Sequence, residues 1–213
     1  MAANDTKYPV KFDVKYSENL DRTSTFFRLL WAIPILIVLG LISGSGGNEV
    51  ATETGKKFVS SGGGILMGLA AATGLMILFR QRYPKWWFDF ALELNRFSAR
   101  VGAYLALLTD KYPSTVEAQA VTLDVEYPNV ERDLDRWKPL FKWFLAIPHY
   151  VVLFVLSMAA FVAVVLAWFA ILFTGRYPKD LFNFVVGVGR WSMRVNAYAF
   201  LLTTDKYPPF TLK

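Results

Sequence analysis

The chain has 213 residues, of which 54% are apolar, 16% are aromatic and 19% are charged. Soluble domains carry roughly 25% charged residues, so this composition favours a membrane protein over a soluble globular domain. The absence of cysteine excludes disulfides, thiolate metal ligands and a cysteine nucleophile. The net charge is +6, but the lysines and arginines stand at the ends of apolar segments and form no long basic run. That distribution is typical of membrane orientation, and we expect no nucleic-acid binding.

The first predicted element is a strand over residues 10–16, in which apolar and polar side chains alternate. Residues 121–127 show the same alternation. The polar residues of the two strands have opposite sign, so we expect them to pair across a pseudo-two-fold axis, with Lys11 or Lys15 near Glu126. Two strands alone form only a marginal ribbon, which would have to rest on helices or lipid.

The two strands open two copies of one module. Arg82-Tyr83-Pro84-Lys85 recurs as Arg176-Tyr177-Pro178-Lys179, and Ala32-Ile33-Pro34 recurs as Ala146-Ile147-Pro148. So many coincident positions indicate a duplication, with repeat one over residues 1–119 and repeat two over residues 120–213. The first copy also carries an extra glycine-containing loop around residues 44–62, which we expect to be flexible.

Four hydrophobic segments follow the strands, at residues 29–43, 65–79, 143–158 and 159–173. They predict two helical hairpins with four short transmembrane helices. Crossing about 30 Å of hydrocarbon takes roughly 20 helical residues, so every segment is short. The alternative is that a hairpin is a wedge that does not fully cross the bilayer.

Positive charge gives the expected orientation. The segments before, between and after the hairpins hold 5, 10 and 6 lysines and arginines, whereas the loop around residues 44–62 holds only Lys56 and Lys57. Both termini and the central segment are therefore predicted to be cytoplasmic. Since each copy has two spans, the copies are parallel repeats related by an axis along the membrane normal.

Small residues spaced by four form two predicted helix-packing faces, within the chain or between chains. These faces consist of Gly64, Gly68 and Ala72, and of Ala159, Ala163 and Ala167. Pro34 and Pro148 are expected to kink the outward limbs of the two hairpins.

An amphipathic helix is predicted after each hairpin, over residues 86–108 and 180–202. Each carries one narrow polar stripe, which favours deep embedding at the cytoplasmic interface or burial against the other copy. The arginines of the stripes could bind lipid phosphates or the carboxylates of a partner, or pair internally, as Glu93 could with Arg96. The second copy lacks the acidic residues, so its arginines need partners from elsewhere. The predicted lipid or partner contacts are Arg96, Arg100, Arg190, Arg194, Arg82, Arg176, Lys85 and Lys179.

Residues that could carry chemistry are few. His149 is the single histidine, so a histidine-rich metal site is excluded, and we expect His149 to be an interfacial polar residue. The repeated Asp110 and Asp205 remain as candidates, each followed by Lys-Tyr-Pro. The sequence therefore predicts no catalytic residues, no metal and no cofactor. The hydrophobic segments carry almost no ionisable residue, which argues against coupled transport but leaves a passive pore open.

The second copy resembles a known family in the run of residues 169–178 and in a set of positions after it. These are Gly187, Arg190-Trp191, Arg194-Val195, Ala197-Tyr198, Leu201-Leu202-Thr203 and residues 205–210. The pattern is similar to the bacterial membrane family known as domain of unknown function 4389. The first copy resembles it less, with Gln81 where Gly175 stands. The resemblance implies a multi-pass protein of a prokaryotic cytoplasmic membrane and no established activity.

The sequence thus predicts an all-α integral membrane protein. It has two tandem helical-hairpin repeats, each followed by an interfacial amphipathic helix, and a small cytoplasmic β element. The expected function is that of a non-catalytic accessory or scaffold subunit. Its expected partners are the phospholipid membrane and other membrane proteins or further copies of itself. The alternatives are a membrane-shaping or lipid-organising protein and a passive pore or transporter component.

Overall fold

The computed structural model describes residues 8–43, 47–52, 55–60, 64–114, 117 and 119–213. In chain order, the elements of the first half are β1 (Val10–Val14), α1 (Arg22–Phe26), α2 (Arg28–Ser43), β2 (Gly47–Thr52), β3 (Gly55–Ser60), α3 (Gly64–Arg80) and α4 (Lys85–Leu105). Those of the second half are β4 (Val121–Val125), α5 (Val130–Asp133), α6 (Lys138–Leu145), α7 (Ile147–Thr174) and α8 (Lys179–Ala199).

Strands β1 and β4 pair in antiparallel orientation, as the alternating sequences predict. In both strands the apolar side chains are buried and the polar ones exposed. The register sets Lys11 opposite Asp124, and Glu126 donates its N–H to the carbonyl of Pro9. Glu126 is therefore diagonal to Lys11. The predicted alternative of Lys15 near Glu126 is wrong, because Lys15 lies at the other end of the ribbon.

Helix α8 lies between the sheet and α7. Trp191, Val195 and Tyr198 form a buried cluster with Ala146 at the start of α7. On the opposite side of α8, Gly189 meets the ring of Phe12, a residue of β1. Helix α4 has the same arrangement, packing against β4 on one side and against α2 on the other. The protein thus has three layers: the sheet, the α4–α8 pair, and the apolar helices α2, α3 and α7.

Both amphipathic helices are present. Their apolar positions are buried between the sheet and the apolar helices, and each helix contacts the strand of the other half of the chain, which corresponds to the predicted alternative of burial against the other copy. At the centre of each polar stripe an arginine meets the backbone of the sheet: Arg96 donates to the carbonyl of Leu123, and Arg190 donates to that of Phe12.

The predicted second hairpin is wrong. Residues 147–174 form one continuous helix, α7, with no turn between the segments 143–158 and 159–173. Residues 149–174 contain no Gly, Pro, Asn or Asp that would favour a turn. Gly175, at φ 72°, ends the helix instead. Pro148 stands in the first turn of α7, where its missing N–H costs nothing, rather than as a kink within a span.

The first pair of apolar helices is not a hairpin either. At the start of α2, the Arg28 guanidinium donates to the carbonyl of Tyr104, near the end of α4 (2.9 Å). In α3, Thr73 accepts from the indole of Trp87, near the start of α4 (2.9 Å). The 21 residues of α4 span about 31 Å, whereas the start of α2 and the end of α3 would be adjacent in a hairpin. Helix α2 therefore lies along the second half of α4 and helix α3 along its first half, in the way that the single helix α7 lies along α8.

The segment between α2 and α3 contains the strand pair β2–β3, where the sequence predicted a flexible loop. Helices α2 and α3 have 16 and 17 residues, which is short for a membrane crossing. Within the described residues, one helical stretch, 138–174, is long and apolar enough to cross a membrane. Four such helices are not observed.

The exposed large apolar side chains are unevenly distributed. They concentrate on α1, α2, α3, α6 and α7, with Leu29 and Phe173 each 78% exposed. Helix α8, all of whose residues are described, contributes none, and α4 contributes Trp86 and Phe90. The outward side chains of the sheet are polar or charged, among them Lys11. One side of the protein is therefore apolar and the other is charged.

The two small-residue faces have different surroundings. Ala163 and Ala167 in α7 are buried in the main core, whereas Ala159 is exposed. In α3, a Cβ added to Gly68 would meet no atom within 4 Å. The α7 face packs within the chain over its second half, and the α3 face is open at Gly68.

Candidate functional site

Arg96 and Arg190, the central arginines of the polar stripes, make matching contacts with the sheet. Arg96 donates to the carbonyl of Leu123 (2.8 Å), and Arg190 donates to that of Phe12 (3.1 Å). Each also pairs with the aspartate that follows: Arg96 with Asp124 at 3.2 Å, and Arg190 with Asp13 at 3.0 Å. The predicted pair of Glu93 with Arg96 is present at 2.6 Å. Each arginine thus holds the strand of the opposite half of the chain.

Arg100 and Arg194 contact the segments that follow their helices. Arg100 donates to the carbonyl of Ser114 (2.7 Å), and Arg194 donates to those of Thr211 (3.3 Å) and Lys213. Burial, and secondly the charge of Arg190, lower the pKa of Arg194. The sequence predicted that the arginines of α8 need partners from outside their helix. Arg190 has such partners in β1, and Arg194 has them in the last residues of the chain.

The other four predicted contact residues form two equivalent sets. These are Arg82 with Lys85, and Arg176 with Lys179. Both arginines are exposed. The amine of Lys85 lies 3.1 Å from Asp89 and 5.9 Å from the ring centre of Tyr127, and that of Lys179 lies 5.5 Å from the ring centre of Tyr16. These positive groups are exposed, whereas Arg96, Arg100 and Arg190 of the stripes are half-buried and Arg194 is buried.

The structure adds a buried ion pair that the sequence did not predict, between Arg28 and Asp110. Arg28 is 2% exposed, and its guanidinium also donates to the carbonyls of Tyr104 and Thr109. Asp110 accepts the N–H of Asp21 at 2.7 Å. The pair therefore fastens the start of α2 to the segment after α4.

The second half has an equivalent ion pair, between Lys142 and Asp205. Lys142 is fully buried, with its amine 2.7 Å from Asp205 and 2.8 Å from the carbonyl of Thr204. Burial raises the pKa of Asp205, but Lys142, the N–H of Asp135 and Lys138 outweigh that effect and hold it below its usual value. The repeated Asp-Lys-Tyr-Pro sequence identified the two aspartates as candidates. No local sequence pattern identified their partners Arg28 and Lys142, which differ in type and lie far from the aspartates along the chain.

His149 is buried, which corrects the expectation of an interfacial residue. The indole of Trp191 donates to its Nδ1 at 3.1 Å, and the ring of Phe210 stacks on it with centroids 4.1 Å apart. Among the residues that the structure describes, no group of three or more His, Cys, Asp or Glu side chains could hold a metal ion. The ring of His149 is thus engaged in contacts with the aromatic side chains of Trp191 and Phe210.

Comparison with known proteins gives one match. Residues 136–211, which include α6, α7 and α8, match the family model described as domain of unknown function (DUF4389). A second tandem copy is not found in the rest of the chain. No curated protein and no solved structure matches the chain.

Proposed function

We propose that this chain is a non-catalytic protein of a prokaryotic cytoplasmic membrane, where it serves as an accessory or scaffold subunit. The supporting observation is the two-sided surface, with exposed apolar side chains on α1–α3, α6 and α7 and charged side chains on the sheet. Contiguous apolar surfaces of this kind mark sites that contact lipid or other proteins. The apolar layer binds other membrane proteins or further copies of the chain within the lipid.

The three layers favour a particular orientation of the proposed subunit in the membrane. The charged strands cannot face hydrocarbon, since each charge at the bilayer centre costs about 2.5–3.5 kcal/mol or more. The sheet therefore faces the cytoplasm, together with both termini, and the apolar layer faces the lipid. Because α7 runs along α8 beneath the sheet, its axis lies closer to the membrane plane than to the membrane normal.

Site-specific photo-crosslinking in the native membrane tests the scaffold role. A photoreactive amino acid replaces Phe154, which is 69% exposed on α7. We expect stoichiometric adducts with other membrane proteins, identified by mass spectrometry after gentle extraction. The matched control carries the same group in place of Lys11, on the outer side of the sheet. Adducts with lipid alone at Phe154 would overturn the scaffold role.

A second function, organisation of lipid, is favoured by the orientation in the membrane that is proposed above. An apolar layer inserted into one leaflet would displace lipid there and bend the membrane. Purified protein added at high loading to vesicles of anionic phospholipid should then produce tubules, visible by electron microscopy. Intact spherical vesicles with fully bound protein would remove this function.

A further inference from the structure

An apolar groove runs between the start of α2, the end of α4 and the second half of α7. Its volume is about 740 Å³, within the roughly 300–1,000 Å³ of small-molecule sites. Leu36, Leu105, Phe161 and Trp168 are among the side chains that line it. Gly102 also lines it, and a Cβ there would meet no atom within 4 Å. The groove is therefore open space between helices that expose apolar side chains at the protein surface.

Two buried polar groups at one end of the groove have no hydrogen-bond partner within the described part of the chain. They are the hydroxyl of Thr25 and the Nε of Arg28, on residues that are 1% and 2% exposed. Buried donors of this kind are rare in native proteins without a partner. The positive charge of Arg28 is already balanced by Asp110. The unused donors therefore suit a neutral acceptor oxygen rather than a second carboxylate.

The equivalent place in the second half differs at both positions. In the alignment of the two copies, Pro139 replaces Thr25 and Lys142 replaces Arg28. Proline has no hydroxyl to match that of Thr25, and lysine has no Nε–H to match that of Arg28. Pro139 lies beside Gly74, together with Leu202. The ion pair shared by both halves thus does not require the two unused donors. They are particular to the half that contains the groove.

We propose that the groove binds one acyl chain of a membrane phospholipid, with an ester carbonyl oxygen of that chain accepting from Thr25 and from the Nε of Arg28. The apolar lining takes the hydrocarbon, and the two donors hold the polar end. This site rests on the membrane location proposed above, but not on the scaffold role. A chain held in this way would fix α7 against α2.

Bound lipid is measured on the full chain, purified in detergent and exchanged extensively, by lipid extraction and mass spectrometry. Wild-type protein should retain about one phospholipid per chain. In the Gly102→Leu variant the new side chain occupies the groove, and retention should fall about tenfold. The Gly68→Leu variant is the matched control, because Gly68 has equally free space but lies outside the groove. Its retention should equal that of wild type.

A second variant tests the polar end. Thr25→Val keeps the shape and removes the hydroxyl, so retention should fall about fivefold, as expected for one lost hydrogen bond. Equal retention in wild type and Gly102→Leu would overturn the site, and so would recovery of free fatty acid in place of phospholipid. If the Gly102→Leu variant loses its bound lipid but still forms the crosslinks from position 154, the result would support the lipid site and show that it is separate from the scaffold role.

Discussion

Buried cations are the residue-scale feature on which both halves depend. Arg28 and Lys142 begin apolar segments, yet each is almost fully buried. Arg28 meets Asp110, which follows α4, and Lys142 meets Asp205, which follows α8. Removing one partner of a buried ion pair leaves an uncompensated charge and costs about 3–5 kcal/mol. The sequence did not predict these pairs because the two cations differ in type and lie far from their aspartates along the chain.

Asp205→Asn should therefore destabilise the protein by roughly 3–5 kcal/mol, because it leaves Lys142 buried without its counterion. Thermal unfolding in detergent, followed by circular dichroism, measures the change. Asp89→Asn is the control, since the Asp89–Lys85 pair has side chains 51% and 71% exposed and such pairs contribute about 0–1 kcal/mol. Equal destabilisation by both variants would contradict the buried-pair account.

The same ion pair predicts a dependence on acid pH. The pKa of Asp205 is lower in the folded protein than its usual value of 3.8. Its contribution to stability is therefore fully present above pH 3.8 and is lost as the pH falls through the lowered pKa. The difference in unfolding temperature between wild type and Asp205→Asn should stay constant near neutral pH and shrink below pH 3.8. A difference that grows in acid would contradict this assignment.

At the scale of elements, strands β1 and β4 were predictable, whereas strands β2 and β3 and the arrangement of the apolar helices were not. Alternation is a local signal, so β1 and β4 were found, and their opposite charges gave their pairing. Hydropathy cannot distinguish two short helices from one long helix, and the expected turn near Met158 is absent from α7. The groove could not be foreseen, because it is formed by helices from both halves.

Met158→Pro distinguishes the continuous helix from a hairpin. Met158 is 56% exposed in the middle of α7, so the substitution removes little packing. Within a helix, proline should cost about 3 kcal/mol or more, whereas in a turn it would be tolerated. Unfolding temperature measures the loss, and Met158→Ala controls for the removed side chain. Unchanged stability of the proline variant would favour the hairpin.

At the scale of the whole molecule, the layers predict the result of a labelling experiment. The chain has no cysteine, so single cysteines can replace Ser114 and Ser45, the latter outside the described residues. In a four-span topology, a membrane-impermeant reagent would label the two cysteines from opposite sides of the membrane. If the apolar layer lies in one leaflet, membrane-impermeant reagents should label both from the cytoplasmic side alone. Labelling of Ser45→Cys from outside would show that the first half crosses.

The exchange of strands between halves has a consequence for synthesis of the protein. Strand β1 packs against α8, whose residues are made more than 160 positions later. At translation rates of about 5–20 residues per second, the nascent chain waits on the order of 10–30 s with this contact unmade. Meanwhile α2, α3 and α7 emerge with their apolar surfaces uncovered. The order of synthesis therefore leaves the core between β1 and α8 open until the last part of the chain has been made.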